Sequence, residues 1–496
     1  MNVNRREFLK GGLGGVATIV IGSHLPWLQG HAYAATTQTI QIFITDAIKE
    51  MVTHNPGNEA KCYFWVYEMH VNGIQVPADC PGPIIVASAG DTINVTVTNL
   101  LDEDHAFFIP GIVDSGPIAP LAGWAGSFEV PTAGTWLYYD NLNDPVNRMM
   151  GLHGALIVMP TEAAVGRKFT PYDPAQVTPG VQTLFDQFGE SQIGPFGEEK
   201  PFPGLAWEEG DEATEVPPFR QYVWLTHEAS STLFAEVGAY PAGLDYPAEE
   251  FKEKFLRGPF AINNSAIGSP SYIPQYFTIN GQSGFFAHHN PSIVPFVRVG
   301  EPVVVRILNA GLWTHSMHLH ANHFFVTSVN DVVSDNPLWI DVFNVEPMDR
   351  VDYTVPAMRP PDIGSTRGIG LAENPQTAVA GHPVWPPIEE LDLFFPEIGD
   401  EIAADIHGNA IDLAARQSPL CYPMHDHSEP SQTSQGGNYN CGLIAGIYFV
   451  GDRNTPGHMN FPLEEHMDML MGHPRIYGIR ATGIAAPPFG HVDHEM

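Results

Sequence analysis

Residues 313–320 read Trp-Thr-His-Ser-Met-His-Leu-His, which sets His318 and His320 two apart. In an extended strand such residues share a face, so both imidazoles point the same way. About a hundred residues further on, His425-Asp426-His427 repeats the device. Neutral imidazole is the commonest metal ligand. Two strands that each offer an H-x-H pair to one side can surround a metal ion with nitrogen donors. His315 precedes the first pair, and His105 stands at a comparable point in the first half of the chain. Asp426, between the second pair, and Asp140, in Tyr139-Asp140-Asn141, are carboxylates placed to move protons beside such a site. His153, His227 and the His288-His289 pair read instead as packed or hydrogen-bonded histidines of strands and loops.

The elements that must position these residues are strands. Period-2 and β-branched runs bounded by Gly, Pro, Asn and Asp recur along the chain, as in QTIQIFIT, AGDTINVTVTN, PVVVRILN and DRVDYTVP. They predict an all-β protein built from two Greek-key sandwich or barrel domains. Gly90-Asp91-Thr92-Ile93-Asn94-Val95 corresponds to Gly300-Glu301-Pro302-Val303-Val304-Val305, each followed by an Asn-Leu or Asn-Ala step and then a histidine. The two blocks therefore read as one sandwich duplicated. The expected order is an export signal over 1–34, a first domain over 35–162, a linker or cover over 163–218, and a second domain over 219–452. An insertion over about 358–418 interrupts the second domain. A tail over 453–496 carries soft Met and His donors that suit Cu(I) and serve equally as a flexible packing segment.

Composition narrows the partners. The 496 residues carry 22 Lys and Arg against 56 Asp and Glu, a formal charge of −34. So few cations cannot neutralise a row of phosphates, which excludes nucleic acid and anionic membrane surfaces. Hydrophobic residues at 44% supply a core without a metal or disulfide staple. Arg5-Arg6 before a short, glycine-rich apolar run, closing on Ala32-Tyr33-Ala34, reads as a twin-arginine export signal. The expected product is periplasmic or extracellular, with no membrane span after processing. Four cysteines in that compartment predict two disulfides, Cys62–Cys80 and Cys421–Cys441.

On these motifs the chain resembles the superfamily of multicopper oxidases and copper nitrite reductases, which pair cupredoxin domains. Pro81-Gly82-Pro83-Ile84-Ile85 followed by Gly90-Asp91 is similar to its early P-G-P-x-I … G-D signature, and Phe277-Thr278-Ile279-Asn280-Gly281 to its F-T-I-N-G turn. His315-x-x-His318-x-His320 resembles the H-x-x-H-x-H motif, and His425-x-His427 the H-C-H motif. The resemblance implies copper as cofactor. It implies type 1 ligation for His315, and type 2 and type 3 ligation for His318, His320, His425 and His427. His105 is what remains of the first-half H-W-H-G segment, and Tyr139-Asp140-Asn141 stands where the family has H-S-H. The family's trinuclear cluster takes eight histidines, four from each half, so a complete one is not expected here. Asp426 replaces the type 1 cysteine, and the loop Ser428-Glu429-Pro430-Ser431-Gln432-Thr433 lacks the later histidine and methionine. Asp426 with His315 makes at most a harder, oxygen-containing site, because a blue copper centre needs a soft thiolate with two imidazoles.

The resulting expectation is an exported oxidoreductase with a reduced, His-ligated copper site at His105, His315, His318, His320, His425 and His427. Its substrate would be a small molecule or a metal ion, and an external electron-transfer partner would stand in for the type 1 centre. Two-domain relatives usually form trimers, so a homotrimer is the assembly the resemblance implies. The alternatives are a periplasmic copper-binding or copper-handling protein without turnover, and a metal-free cupredoxin scaffold for protein interactions.

Overall fold

The computed structural model describes residues 18–20, 37–51, 60–71, 73–160, 170–187, 220–257, 272–288, 290, 293–299, 303–320, 322–356, 421–435 and 441–452. Most of the export signal, Gly300 to Pro302, the insertion over 358–418 and the tail from 453 lie outside them.

Alternation builds the first half. Strand Thr92–Asn99 buries Ile93, Val95, Val97 and Asn99 while its threonines face outward, which is the period of a half-buried strand. It pairs in parallel with Thr37–Met51 and antiparallel with Gly123–Glu129. Ala60–Val71 and Ile74–Gln75 complete this sheet. The facing sheet runs in the order Thr18–Val20, Ile84–Ser88, His153–Met159, Gly134–Tyr139, Phe108–Ile109, Val113–Asp114. Its first strand lies inside the segment that reads as an export signal.

The second half repeats the plan. One sheet is ordered Tyr276–Ile279, Arg220–Ala229, Val303–Asn309, Arg350–Val355, Phe324–Val329, Val332–Ile340. The other is ordered Phe296–Val299, Ile444–Asp452, Cys421–Asp426, His315–Leu319, Val342–Val345. The duplication extends to the turns that lead into His105 and His315. Asn99 Nδ2 donates to Glu103 O and Ile118 O, and its Oδ1 accepts from Leu101 N. Asn309 does the same with Trp313 O, Val345 O and Gly311 N. Each asparagine satisfies a loop that would otherwise bury unpaired backbone groups.

A third apolar cluster joins the halves, with Leu137, Ile157, Val304, Leu308 and Phe325 around Val181, Leu184 and Phe185. The last three belong to helix Pro179–Gln187, so the described part of 163–218 packs as a cover rather than a free tether. Each such side chain, fully buried, contributes about 1.5–3 kcal/mol. Beside the cluster Arg306, wholly buried, donates to Asp352 Oδ2 at 2.7 Å; Thr135 and Tyr172 donate to the same carboxylate.

The cysteine expectation is corrected. Cys62, Cys80 and Cys441 are free thiols, so neither Cys62–Cys80 nor Cys421–Cys441 is a disulfide. Strand pairing fixes Cys62 opposite Lys49, and Cys80 lies in a loop beside His153 and His227.

Candidate metal centre

Strands His315–Leu319 and Cys421–Asp426 run antiparallel with His318 opposite His425 and Met317 opposite Asp426. Period 2 then divides the motif between two faces. Met317, Leu319, Tyr422 and Met424 enter the core, and with them go His315 and Asp426. His318, His320, His425 and His427 emerge together on the other face. Ring centroids lie 5.0 Å apart for His318–His320, 5.0 Å for His320–His425, 4.9 Å for His318–His427 and 5.3 Å for His425–His427.

Two of these rings are pre-oriented. His318 Nδ1 donates to Asp341 O at 2.8 Å, and His425 Nδ1 donates to Asp426 O at 2.9 Å. A carbonyl only accepts, so both rings carry their proton on Nδ1 and present Nε2 lone pairs, the usual outer-shell arrangement of a ligating histidine. His320 Nε2 lies 2.9 Å from His425 Nε2. Partial burial, then the neighbouring imidazoles, hold His320 below its ordinary pKa; the same causes outweigh the Asp426 carbonyl in lowering His425. The ligand atoms of His318, His320 and His425 all lie within 4.8 Å of one another. Neutral nitrogen donors gathered in this way fit a copper ion. His427 adds a fourth imidazole at the exposed margin.

His315 has a different environment. Its Nδ1 donates to Asp426 Oδ2 at 2.6 Å and its Nε2 to Glu228 Oε1 at 2.8 Å, with all three side chains buried. Burial opposes its charge, but the two carboxylates outweigh burial and raise its pKa to about 9. A protonated ring has no lone pair for a metal, so His315 and Asp426 do not fit a type 1 ligand set. Desolvation pushes the Asp426 carboxyl up, yet its bonds to His315 and Ser431 hold it below the usual range. Its Oδ1 also accepts from Ser316 N and Ser428 N at 2.7 and 2.9 Å. Gly311 makes room for the arrangement, because a Cβ there would overlap the Glu228 carboxylate.

The first half contains the counterpart. His105 Nδ1 donates to Asp140 Oδ2 at 2.7 Å, and its Nε2 lies 3.5 Å from Glu103. Burial lowers its pKa, but Asp140 and Glu103 together raise it to about 9. Asn147 and Leu142 N occupy the rest of Asp140. His105 and Asp140 thus hold each other, and among the described residues neither belongs to the donor group of His318, His320 and His425. Motif reading missed Glu228, Glu103 and Asp341. The first two left a signal, a glutamate in or beside a strand, one residue after His227 and two before His105.

These pairs set a pH dependence for the metal-free protein. Raised pKa values make His105 and His315 stabilising below about pH 6.5, their unfolded value, with that stability lost as pH climbs through about 9. Burial lowers His153 to about 3 and His227 well below its ordinary value, so their contribution is lost as pH falls below about 6.5. Melting temperature followed by calorimetry should therefore peak near neutrality and fall on both sides. A flat profile from neutral to strongly alkaline pH would remove the charged state of His105 and His315.

Residues 65–163 match one multicopper oxidase family profile and residues 267–360 match another. No curated protein sequence matches the chain. Among solved structures it is similar to the blue copper oxidase of Nitrosomonas europaea at 14% identity and a TM-score of 0.46, covering 87% of this chain and 92% of that one. It is also similar to the multicopper oxidase mgLAC at 16% identity and a TM-score of 0.45, covering 87% and 89%. Copper nitrite reductase from Nitrosomonas europaea follows at 13% identity and a TM-score of 0.43, covering 86% and 100%. The assignment rests on the two profile matches, which hold His105 and Asp140 in one segment and His315, His318 and His320 in the other. Two segments of this all-β chain, residues 65–163 and 267–360, thus carry the multicopper oxidase family pattern.

Proposed function

We propose that the protein is an exported copper oxidoreductase whose single working centre is the imidazole cluster of His318, His320, His425 and His427, without a blue type 1 copper. The observation that carries this is the cluster's geometry: four imidazoles on one sheet face, two of them fixed by backbone carbonyls with lone pairs turned inward. Bound copper would supply one-electron redox chemistry and Lewis acidity there. The chain's own residues do the rest. Asp341 O and Asp426 O hold the His318 and His425 rings, which limits rearrangement when the metal changes charge. His320 and His427, at the exposed margin, leave room for a small substrate or for a second copy of the chain in a homotrimer. Asp426 and Asp140 act as anchors of His315 and His105 rather than proton carriers, because their oxygens are already committed.

Among the described residues no thiolate stands beside His315, so in this reading electrons arrive from the substrate itself or from an external partner. That same observation favours a second reading, copper holding without turnover. The test is copper-loaded protein assayed for oxygen consumption with phenols and oxidisable metal ions, and for nitrite reduction with an artificial electron donor. Turnover that is present in the wild type and absent in His318→Ala supports the oxidoreductase. Stoichiometric copper with no turnover in any assay supports copper holding. No copper bound at all leaves the fold as a metal-free scaffold.

A further inference from the structure

A second cluster of donors lies away from the imidazole face, where the halves of the chain meet. His153 opens strand His153–Met159 of the first half, His227 is near the end of Arg220–Ala229 of the second, and Cys80 lies in the loop before Ile84. All three are buried, and the Cys80 Sγ and one nitrogen from each ring lie within 4.8 Å of one another. The two rings are 4.5 Å apart, centroid to centroid.

Their hydrogen bonds fix which nitrogens are free. His153 Nδ1 donates to Arg148 O at 2.8 Å, and His227 Nε2 donates to Met149 O at 2.9 Å. Consecutive carbonyls of one short helix, Val146–Met149, therefore hold both rings by their protonated nitrogens. Both rings are neutral in the fold, so the opposite nitrogens carry lone pairs. His153 Nε2 is fully buried and has no hydrogen-bond partner, an arrangement that costs about 1–3 kcal/mol if nothing occupies it. An imidazole with one nitrogen donating to a backbone carbonyl and the other left with its lone pair is the outer-shell arrangement of a metal ligand.

We propose that Cys80, His153 and His227 form a second, buried metal site that takes Cu(I). A thiolate with two imidazoles is a soft donor set suited to copper. Zinc in a closed site takes four ligands, whereas three are gathered here. Charge points the same way. Arg148 is the nearby cation that acts on both rings, while Lys49 is paired with Asp79 at 2.6 Å, so the two largely cancel at Cys80. A monovalent ion with the Cys80 thiolate is neutral, but a divalent ion would add a net positive charge to a buried site beside Arg148. Binding exchanges the Cys80 Sγ–H bond for a sulfur–copper bond and releases one proton, with no change of oxidation state. Bond lengths of about 2.0–2.3 Å to each donor require side-chain movements on the order of an ångström. The site shares no residue with the imidazole cluster and does not depend on the function proposed there.

The experiment uses full-length protein carrying His318→Ala and His425→Ala, which removes the outer cluster. It is titrated anaerobically with Cu(I) supplied as its acetonitrile complex, and copper X-ray absorption is recorded. We expect one tightly held copper per chain with one sulfur and two nitrogen neighbours. Adding Cys80→Ser should weaken it by about 100-fold or more, which exceeds or equals the loss from an outer-shell change. His153→Asn should do the same, because its amide keeps the bond to Arg148 O and removes only the inner nitrogen. Circular dichroism establishes that each variant is folded, and His153→Asn decides the matter where Cys80→Ser is not. Copper without a sulfur neighbour, or a copper–sulfur signal that survives both replacements, would overturn the proposal.

Discussion

Asp426→Ala is expected to lower the unfolding free energy of the metal-free protein by about 3–5 kcal/mol, the cost of removing one partner from a buried ion pair. The replacement strips His315 of its 2.6 Å partner and leaves Ser316 N, Ser428 N and the Ser431 hydroxyl without their acceptor. It also leaves a cavity in a wholly buried position. Glu228 remains on the other side of His315, so the ring keeps one anion and the loss stays below that of an isolated buried charge. Asp426→Asn should cost less, because an amide oxygen still accepts from the backbone amides. Urea unfolding, compared at equal slope, measures both. If the Asp426→Ala midpoint equals that of the wild type, then His315 is neutral in the fold and the buried charge assigned here is wrong.

The second large effect has the opposite character. His318→Ala and His425→Ala, on the opposite strand face from His315 and Asp426, should each weaken copper binding by about 100-fold or more. His318→Ala should change metal-free stability little, whereas His425→Ala, buried and bonded to Asp426 O, should cost about 1–3 kcal/mol. Removing either imidazole also removes a neighbour that disfavours protonation of His320, so its titration should move up towards the ordinary value. Competition with a chromogenic copper chelator gives the affinity, and imidazole proton resonances give the titration. Copper affinity unchanged in both variants would place the metal elsewhere. A collapse of stability with intact copper binding would invert the roles given to the two faces.

These two outcomes share one cause, the twofold period of a strand. The sequence shows that His318 and His320 lie on one face and that His425 and His427 form a matching pair. The same rule, applied to His315 and Asp426, would have placed them on the other face with Met317 and Met424. Grouping all six histidines as one metal set followed family motifs, in which neighbours in sequence serve different coppers. The period of the strands separates them in space. His105 lies outside the strands, in an isolated bridge to Ile118, but its carboxylate at Asp140 is the counterpart of Asp426, a duplication already visible in the paired Asn-to-His spacings.

The sequence by itself determined the fold class, the duplication, the likeness to multicopper oxidases and the four imidazoles of the outer cluster. Each depends on local spacing, on strand period or on a motif that survives as a string. Only the tertiary structure decided the partners. Glu228 reaches His315 from a strand 87 residues earlier, and Glu103 and Asp140 enclose His105. Cys80 meets His153 and His227 across the junction of the two halves instead of pairing with Cys62. The physical reason is that a buried ring's protonation follows the groups packed against it, and those come from distant segments. His315 beside two carboxylates is a cation, whereas His153, beside a thiol and a carbonyl in a dry interior, is neutral with a free lone pair. Residue type alone does not distinguish the two histidines; which face and which neighbour they meet does.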